Sequence, residues 1–384
     1  MTISELHSSE DLRRHEFPVA RKQIFLGHAW VSPLPRRVKE AMDRCLAAGA
    51  EGDQAQAFGP GLISETRALA ARLLKARPEE IALVGPTSLA LSFVAGGLRF
   101  RKHQHVLVYQ DDYPSNVYPW MTLADRGVEV RFLNVARPGQ IRVRDVVSQI
   151  DEQTRCVALS SCHFLSGYRA EIAEIGAEMK KRNILFCVDG IQTLGAFPTT
   201  VENVDFLAAG AQKWLLGPCG AGILYVSEAA QEILAPTTQG WHNIRCPDFA
   251  AQDELVYRKD ARKYEAGTAN LIGLAGLRAA LELALEVGVD AIAADLLRKR
   301  AWLVPALREK GFEVAHADAD AAHAGGIITF SREGTDLAAI HQTLLDGGVA
   351  ASLRTDRGGQ KFLRISPHYY NTDEELRDFL SRLP

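Results

Sequence analysis

Seven short apolar runs, separated mostly by segments with helical periodicity, constrain the fold of this 384-residue chain most strongly. Runs that are apolar at nearly every position predict strands buried on both faces, and the helices between them predict parallel connections. The pattern indicates an α/β fold whose ligands bind at the carboxyl ends of the strands. The predicted strands are Ile81–Val84, His105–Tyr109, Val128–Leu133, Cys156–Ser160, Ile184–Val188, Asp205–Ala209 and Ala221–Val226.

The pattern changes past about residue 270. Two amphipathic helices are predicted there, Leu271–Val287 and Ala291–Lys310, followed by short strands and a last helix. We therefore predict an N-terminal arm (1–30), a large α/β domain (31–270) and a smaller C-terminal α+β domain (271–384), and the first helices of the large domain could pack with the small one. The polar residues 1–22 predict a loosely packed arm. The short strands are predicted near Phe312–Ala315, Gly326–Phe330, Val349–Leu353 and Phe362–Ile365.

Composition and charge argue against several functions. A hydrophobic fraction of 47% and a net charge of −3 are ordinary for a globular enzyme and give no reason to expect a nucleic acid or a membrane as partner. The six cysteines lack a zinc-binding spacing, so we expect no metal and buried free thiols, as in a reducing cytoplasm. The charged N-terminus does not resemble a signal peptide, and no apolar run is long enough to span a bilayer.

Lys213 and Asp189 carry the strongest chemical signal. Lys213 lies among small and apolar residues in the segment 208–222, where burial would lower its pKa and free its amine for a Schiff base. Asp189 follows the apolar run Ile184–Val188, where an unpaired carboxylate would be expensive and needs a cationic partner. A surface lysine and a helix-capping aspartate are the plainer alternatives. Together the two residues suggest an enzyme that uses pyridoxal phosphate (PLP).

Two weaker signals follow the first two strands of the predicted sheet. Thr87 and Ser88 precede a helix, where hydroxyls and backbone amides form an anion site, although a plain helix cap is the favoured interpretation when they are taken alone. Tyr113 lies just beyond the next strand, where it could stack on a cofactor ring or pack locally in a proline-rich turn. Neither signal decides the function alone.

The order of these residues resembles that of the class V aminotransferase family of fold type I PLP enzymes, which includes cysteine desulfurases, kynureninases and isopenicillin epimerase-like proteins. The most specific segments are Val188–Gln192, Gln212–Pro218 with Gly220 and Gly222, and Leu363–Thr372. The resemblance implies a mostly parallel seven-stranded sheet in the large domain. It also implies a homodimer that acts on a small amino-acid substrate and shares its active sites across the subunit interface.

The resemblance also implies roles for individual residues. Lys213 would form the Schiff base and move the substrate α-proton, while Asp189 would hold the pyridine nitrogen protonated. Arg364 would bind the substrate carboxylate through two parallel hydrogen bonds, and the surrounding match favours this over a surface strand arginine. The other cofactor contacts implied are Thr87, Ser88 and Gln212 on the phosphate, Tyr113 on the ring face, Gln192 on the ring oxygen and Thr268 from the partner subunit.

Four further residues are candidates for contacts with the substrate, and the loop that contains His163 faces the substrate in the family. His163 is equally consistent with a structural and a catalytic role, and Trp241 resembles a residue lining the entrance of the active site. Arg354 and Arg357 could bind a second acidic group on the substrate, but a solvated basic loop is the interpretation we favour.

Departures from the family pattern narrow the reaction. Many cysteine desulfurases have a histidine before the lysine and a nucleophilic cysteine in the loop before the last arginine. Here Gln212 precedes the lysine, and Ser352–Lys361 contains no cysteine. The sequence therefore predicts an aminotransferase, with a carbon–sulfur or other β-elimination lyase or an epimerase as alternatives. A non-catalytic PLP-binding module is a further alternative from another class, and the retained Lys213 argues against it.

Overall fold

The computed structural model describes residues 1–54, 59 and 61–384. Its strands, in chain order, are β1 (Ile24–Phe25), β2 (Ile81–Val84), β3 (His105–Val108), β4 (Glu129–Phe132), β5 (Thr154–Ser160), β6 (Leu185–Asp189), β7 (Phe206–Gly210), β8 (Gly222–Val226), β9 (Glu313–Val314), β10 (Ile328–Ser331), β11 (Val349–Ala350), β12 (Ser352–Thr355) and β13 (Lys361–Ile365). All seven strands predicted for the large sheet are present, with ends shifted by at most two residues.

These seven strands form one sheet in the order β2-β8-β7-β6-β5-β3-β4. Only β8 is reversed, running antiparallel to both β2 and β7, so the predicted, mostly parallel sheet is confirmed. Side chains that alternate along β5 enter opposite cores: Val157 and Leu159 pack on one face, and Cys156 and Ala158 on the other. A strand buried on both faces has no polar side, which explains why these runs are continuously apolar.

Helices cover both faces of the large sheet and build much of the C-terminal part. None of those in the described residues is long and apolar enough to cross a membrane. In chain order they are α1 (Ile3–Ser8), α2 (Glu10–Glu16), α3 (Arg36–Glu51), α4 (Leu62–Leu74), α5 (Thr87–Gly97), α6 (Tyr118–Met121), α7 (Val143–Val147), α8 (Ile172–Lys181), α9 (Glu228–Gln231), α10 (Leu271–Val287), α11 (Val289–Glu309), α12 (Leu337–Asp346) and α13 (Asp373–Ser381).

The C-terminal part is the predicted smaller α+β unit. Strands β12, β13, β10 and β9 form an antiparallel sheet in that order, and β11 pairs in parallel with β1 near the N-terminus. The run Val349–Leu353, predicted as one strand, is therefore divided between two sheets. Helix α10 contributes Leu277 and Leu281 to the core of the large sheet. The domain boundary at residue 270 stays a prediction.

The prediction of a loosely packed N-terminal arm is wrong. Residues 3–16 form α1 and α2, and Leu6 and Phe17 are almost completely buried. The ring of Phe17 stacks on Tyr370 with a centroid distance of 4.2 Å, and the buried Arg13 pairs with Glu375 at 2.7 Å. A few apolar side chains are enough to pack this polar segment against the rest of the protein. Their partners lie near the C-terminus, so the local sequence pattern did not reveal the packing.

Candidate active site

A cavity of about 160 Å³ lies at the carboxyl ends of β6 and β7, close to the N-terminus of α5. It gathers six of the residues predicted for the site. The parallel topology explains why residues far apart in sequence meet, since all these strands end at one edge of the sheet. The cavity is lined by Thr87, Ser88, Tyr113, Asp189, Gln212 and Lys213, together with Trp30, Val31, Pro86, Ser115 and Ile191.

A tight loop after β7 presents Lys213 to this cavity. Buried Leu216 adopts a left-handed backbone with φ of 57°, a conformation that a leucine holds only where its surroundings enforce it. Its amide donates to the Lys213 carbonyl at 3.1 Å. Gly195 lies directly against the loop, because a Cβ there would stand 2.7 Å from the Trp214 carbonyl oxygen. The loop is therefore fixed from within and from a neighbouring segment.

The amine of Lys213 is buried and makes no hydrogen bond to the described residues. Only 6% of the residue is exposed, and Nζ forms no ion pair with any of them either. Burial lowers its pKa to about 8, with Arg364 and Arg354 acting in the same direction and the Asp189 carboxylate opposing them. Nζ lies 5.2 Å from the centroid of the Tyr113 ring. A substantial fraction of this amine is therefore neutral near physiological pH.

Asp189 ends β6 and faces the same cavity. Burial and the nearby Asp112 raise its pKa to about 7, while a 3.0 Å hydrogen bond from the Ile191 amide and the charge of Lys213 lower it. Its second carboxylate oxygen accepts no hydrogen bond from the described residues. A buried acid with a free oxygen suits a protonated ring nitrogen as partner, because a neighbouring cation would offset the free-energy cost of burying the carboxylate.

The opposite end of the cavity suits an anion. Helix α5 begins at Thr87, and no side chain caps its first turn. The Thr87 hydroxyl accepts a 2.8 Å hydrogen bond from the Gly210 amide, which leaves the hydroxyl proton available as a donor. The Ser88 hydroxyl lies 2.7 Å from that of Ser115. An uncapped helix N-terminus with adjacent hydroxyls is a phosphate-binding arrangement.

Two arginines extend from the small sheet toward Lys213. Arg364 is 2% exposed, and its Nη1 donates to the Phe164 carbonyl, while Nε and Nη2 are buried without a partner among the described residues. Arg354 is half-buried, its guanidinium lies 4.5 Å from the centroid of the Trp30 ring, and its Nε also lacks a partner. The solvated-loop interpretation is therefore wrong for Arg354. Arg357 is exposed and pairs with Asp111 at 2.7 Å, but it lines the larger cavity described below, so its role toward a substrate stays a prediction.

Two predicted residues have their side chains engaged by the protein instead. Gln192 donates to the Ala29 carbonyl at 3.2 Å and accepts from the Trp214 indole at 2.9 Å. The Nδ1 atom of His163 accepts from the Ser166 amide at 3.1 Å, so Nε2 carries the proton and donates to the Asp111 carbonyl at 2.9 Å. Neither side chain lines the cavity around Lys213. Their roles toward a ligand stay predictions that these contacts do not favour.

Thr268 and Trp241 lie outside this cavity as well. Thr268 is exposed, and Trp241 is 48% exposed, with its ring against that of Phe249 at 5.6 Å. Both residues were predicted to act at or near the interface between subunits, and their exposure in a single chain is compatible with that. The roles stay predictions.

The sequence interpretation missed two residues that the fold brings to the site. Asp112 accepts hydrogen bonds from the Ser160 hydroxyl at 2.6 Å, the Tyr113 amide at 2.7 Å and the Asn116 side chain at 3.1 Å. Asp112 lies shortly after the end of β3, just as Asp189 lies at the end of β6. An acid near the carboxyl end of a predicted strand was therefore a sequence signal that could have identified Asp112. Trp30 gave no signal, because its partner Arg354 is more than three hundred positions away.

A larger cavity of about 770 Å³ adjoins the first one. Tyr113 lines the smaller cavity and Phe164 lines the larger, and their rings pack edge to face with centroids 5.4 Å apart. The larger cavity lies between the large sheet and the small domain, with Val314, Thr329 and Phe362 on the small-domain side. It offers room for a substrate to approach from the cleft between the two parts.

The family model for class-V aminotransferases matches residues 28–379. The chain belongs to this family. Among its relatives are a probable cysteine desulfurase from Methanothermobacter thermautotrophicus, 28% identical with 96% of each chain covered, and the uncharacterized aminotransferase YcbU from Bacillus subtilis, 27% identical with 96% of each covered. The apo cysteine desulfurase from Thermococcus onnurineus NA1 has the same fold, with a TM-score of 0.88, 24% identity, and 97% of this chain and 96% of that one covered.

A second solved structure is similar over nearly its whole length. It is the complex of the cystine C–S lyase C-DES with its reaction product, cysteine persulfide, with a TM-score of 0.86, 24% identity, and 95% of this chain and 98% of that one covered. Family members use PLP, and PLP is the cofactor of this enzyme. The cavity fits it: the Thr87 hydroxyl proton and the uncapped N-terminus of α5 are available as donors at the anion end, and an acid with a free oxygen and an unbonded amine line the same cavity.

Proposed function

We propose that this chain is a PLP-dependent aminotransferase that acts on an α-amino acid. The observation that carries the proposal is the unbonded, buried amine of Lys213 in one cavity with Asp189 and close to the free nitrogens of Arg364. PLP supplies an electron sink for bonds at the substrate α-carbon when it is bound. Thr87, Ser88, Gln212 and the N-terminus of α5 would hold its phosphate.

Lys213 would hold the cofactor covalently and, once displaced by the substrate amine, would move the proton at the α-carbon. Its lowered pKa suits both tasks, because only the neutral amine is a nucleophile or a base. Asp189 would keep the pyridine nitrogen protonated, and Tyr113 would stack on the ring. Arg364 would bind the α-carboxylate through Nε and Nη2, which form a parallel pair of donors.

The contacts of His163 and the positions of the cysteines among the described residues support transamination over two alternatives. An epimerase that delivers a proton from the second face needs another acid or base, but both ring nitrogens of His163 are bonded to the protein. A persulfide-forming desulfurase needs a reactive thiol. Among the described residues no cysteine lines the cavity, and burial raises the pKa of the nearby Cys162 to about 12.

A carbon–sulfur lyase is the second candidate. It is favoured by relatives that are named cysteine desulfurases and by the fold shared with a cystine C–S lyase. Elimination would use the same Lys213 amine as base, and a thiolate leaves without needing a protein acid. We also propose that the active enzyme is a homodimer in which Thr268 reaches the neighbouring phosphate, and gel filtration of active enzyme tests this.

One experiment separates the candidates. The purified enzyme is incubated with single amino acids, with and without an added keto acid, while keto-acid product, ammonia and sulfide are measured. A transaminase yields about one product per active site until an amino acceptor is added. A lyase turns over without an acceptor and releases ammonia.

Controls come from Lys213→Ala and from the visible absorption of the lysine-bound cofactor. If the wild-type protein bound no PLP, both the aminotransferase and the lyase proposals would be overturned. The non-catalytic alternative would be supported if PLP binds but no amino acid reacts. Release of ammonia without an acceptor would replace the aminotransferase with the lyase.

A further inference from the structure

We infer that the substrate carries a second carboxylate on its side chain and that Arg354 binds it. The inference rests on the proposed function, because it takes Arg364 as the partner of the α-carboxylate. The substrate would therefore be an acidic amino acid, and Arg354 would determine the specificity for it.

The register of the small sheet brings the two arginines to one face. Ser352 on β12 is paired with Arg364 on β13, and Arg354 lies two positions further along β12. Residues paired across strands and residues two apart along a strand point to the same side of a sheet. Arg354 and Arg364 are thus diagonal neighbours, with Cβ atoms roughly 7–8 Å apart by this geometry. Side chains at this spacing can present their guanidiniums to two separate carboxylates of one small ligand.

The free donors match two carboxylates. Arg364 has two buried nitrogens without partners, Nε and Nη2, and one carboxylate can accept from both. Arg354 has a third buried nitrogen, Nε, that the same carboxylate leaves unsatisfied. Buried donors without partners are rare in folded proteins, because each one loses its hydrogen bonds to water. A second acceptor on the ligand would satisfy this third donor.

Arg354 is positioned as a binding group and has no structural ion pair. Its guanidinium stacks on Trp30, which lines the PLP cavity, and it pairs with no acid among the described residues. Its charge reaches the site, since it lowers the pKa of both Lys213 and Arg364. Arg357, three residues along, is exposed, pairs with Asp111 and lines the larger cavity, so it is the competing cation for a second carboxylate. Substituting each arginine in turn therefore distinguishes the two positions.

Binding of unreactive acids tests the inference without relying on catalysis. Glutarate and valerate have equal length and differ by one carboxylate, and calorimetry on the PLP-loaded enzyme measures both. We expect glutarate to bind roughly 10- to 100-fold more tightly than valerate, as for one charge-assisted pair. Arg354→Gln should remove this preference and leave valerate binding unchanged. Arg357→Gln should retain the preference, and Arg364→Gln should weaken both ligands.

Kinetics provides a second readout on reacting substrates. The ratio of kcat/KM for glutamate to that for norvaline, and for aspartate to that for 2-aminobutyrate, should fall 10- to 100-fold in Arg354→Gln. The fall should lie mainly in KM, because the distal carboxylate is bound equally in the ground state and the transition state. An equal loss for acidic and neutral substrates would show that Arg354 only supports the fold or the α-carboxylate.

Different outcomes would overturn the second carboxylate and the PLP-dependent function. Equal binding of glutarate and valerate by enzyme that shows the visible absorption of lysine-bound PLP overturns the second carboxylate alone. Loss of the glutarate preference in Arg357→Gln, with Arg354→Gln unaffected, also overturns the assignment. Protein without bound PLP overturns the proposed function instead. A melting temperature for each variant excludes misfolding, and Arg354→Lys provides a folded substitute that keeps the charge if Arg354→Gln is unstable.

Discussion

The hydroxyl of Ser32 donates a 2.6 Å hydrogen bond to the carbonyl oxygen of Lys213, and the Ser32 amide donates to the neighbouring Gln212 carbonyl at 2.7 Å. A segment that precedes the first large helix thereby holds the backbone of the reactive lysine from outside the large sheet. The position of Nζ depends on this contact and on the left-handed Leu216 within the loop.

Replacing Ser32 tests the importance of this contact. We expect Ser32→Ala to lower the free energy of unfolding by about 1 kcal/mol, since one buried hydrogen bond is lost while the Leu216 amide still satisfies the carbonyl. Turnover should fall by less than about tenfold, with PLP still bound. Ser32→Thr keeps the hydroxyl and should behave like wild type. An unchanged melting curve for Ser32→Ala would show that the contact contributes nothing.

The lowered pKa of Lys213 predicts selective modification of the cofactor-free protein. With a pKa of about 8, the neutral fraction of its amine at pH 7 exceeds that of an ordinary lysine on the order of 200-fold. Brief reductive methylation followed by peptide mass spectrometry should label Lys213 first, and the rate should rise with pH until it levels off above about 8.

Exposed Lys39 serves as the internal control, because its pairing with Asp43 raises its pKa. Added PLP should protect Lys213 and leave Lys39 unaffected. If Lys39 were labelled faster at pH 7, the Lys213 amine would not be the activated group.

The raised pKa of Asp189 implies that its ionised form lowers the stability of the fold, although the same form is needed to pair with the cofactor. Its folded-state pKa of about 7 lies above the unfolded value near 3.9, so its ionisation destabilises the fold progressively as pH rises from about 4 to about 7. Asp189→Asn in the cofactor-free protein should therefore raise the free energy of unfolding at pH 8 by roughly 1–3 kcal/mol. The difference should vanish near pH 4.

The same variant should lose activity by a factor of about 100 or more, because asparagine cannot keep the pyridine nitrogen protonated. Urea unfolding at several pH values and steady-state kinetics measure the two effects. A variant that is less stable than wild type at pH 8 would contradict the direction of the pKa shift.

His163 is expected to act structurally. His163→Asn should reduce the free energy of unfolding by roughly 1–3 kcal/mol, because the Ser166 amide and the Asp111 carbonyl lose their buried partners. The pH profile of kcat/KM should keep its shape, since burial holds the imidazole neutral by lowering its pKa. Disappearance of one limb of that profile would instead identify His163 as a proton-transfer group.

A buried ion pair supports the segment that precedes Thr268. Arg67 and Glu265 form two hydrogen bonds, of 2.5 and 3.0 Å, with only 8% of each side chain exposed, and Glu265 also accepts from the Leu83 amide. Arg67→Ala should destabilise the protein by roughly 3–5 kcal/mol, because a buried carboxylate remains unpaired.

Arg77→Ala is the matched control, since its pair with Glu228 is exposed and should contribute no more than about 1 kcal/mol. Denaturant midpoints compare the two variants. Equal shifts would mean that burial of the Arg67 pair has no energetic consequence.

Local patterns predicted the large sheet and one end of the site. Continuous apolar runs such as Ile81–Val84 identify strands buried on both faces, and an acid or lysine just beyond such a run must lie at the carboxyl edge of the sheet. Asp189, Lys213, Thr87 and Tyr113 could be placed at one edge of the sheet on that basis, and the resemblance to the class V family implied that they share one site. These residues lie close together because the strands are parallel. The alternation of apolar runs with helical segments in the sequence already implied parallel strands.

The N-terminal arm, Ser32 and Arg354 could not be assigned in this way, because their environments are made by residues hundreds of positions away. Phe17 is buried by Tyr370, Ser32 holds Lys213, and Arg354 stacks on Trp30. The sequence by itself determined the strands, the PLP chemistry and the lysine. Only the tertiary structure decided which polar groups are satisfied by the protein and which remain free for a ligand, since that depends on contacts between distant segments.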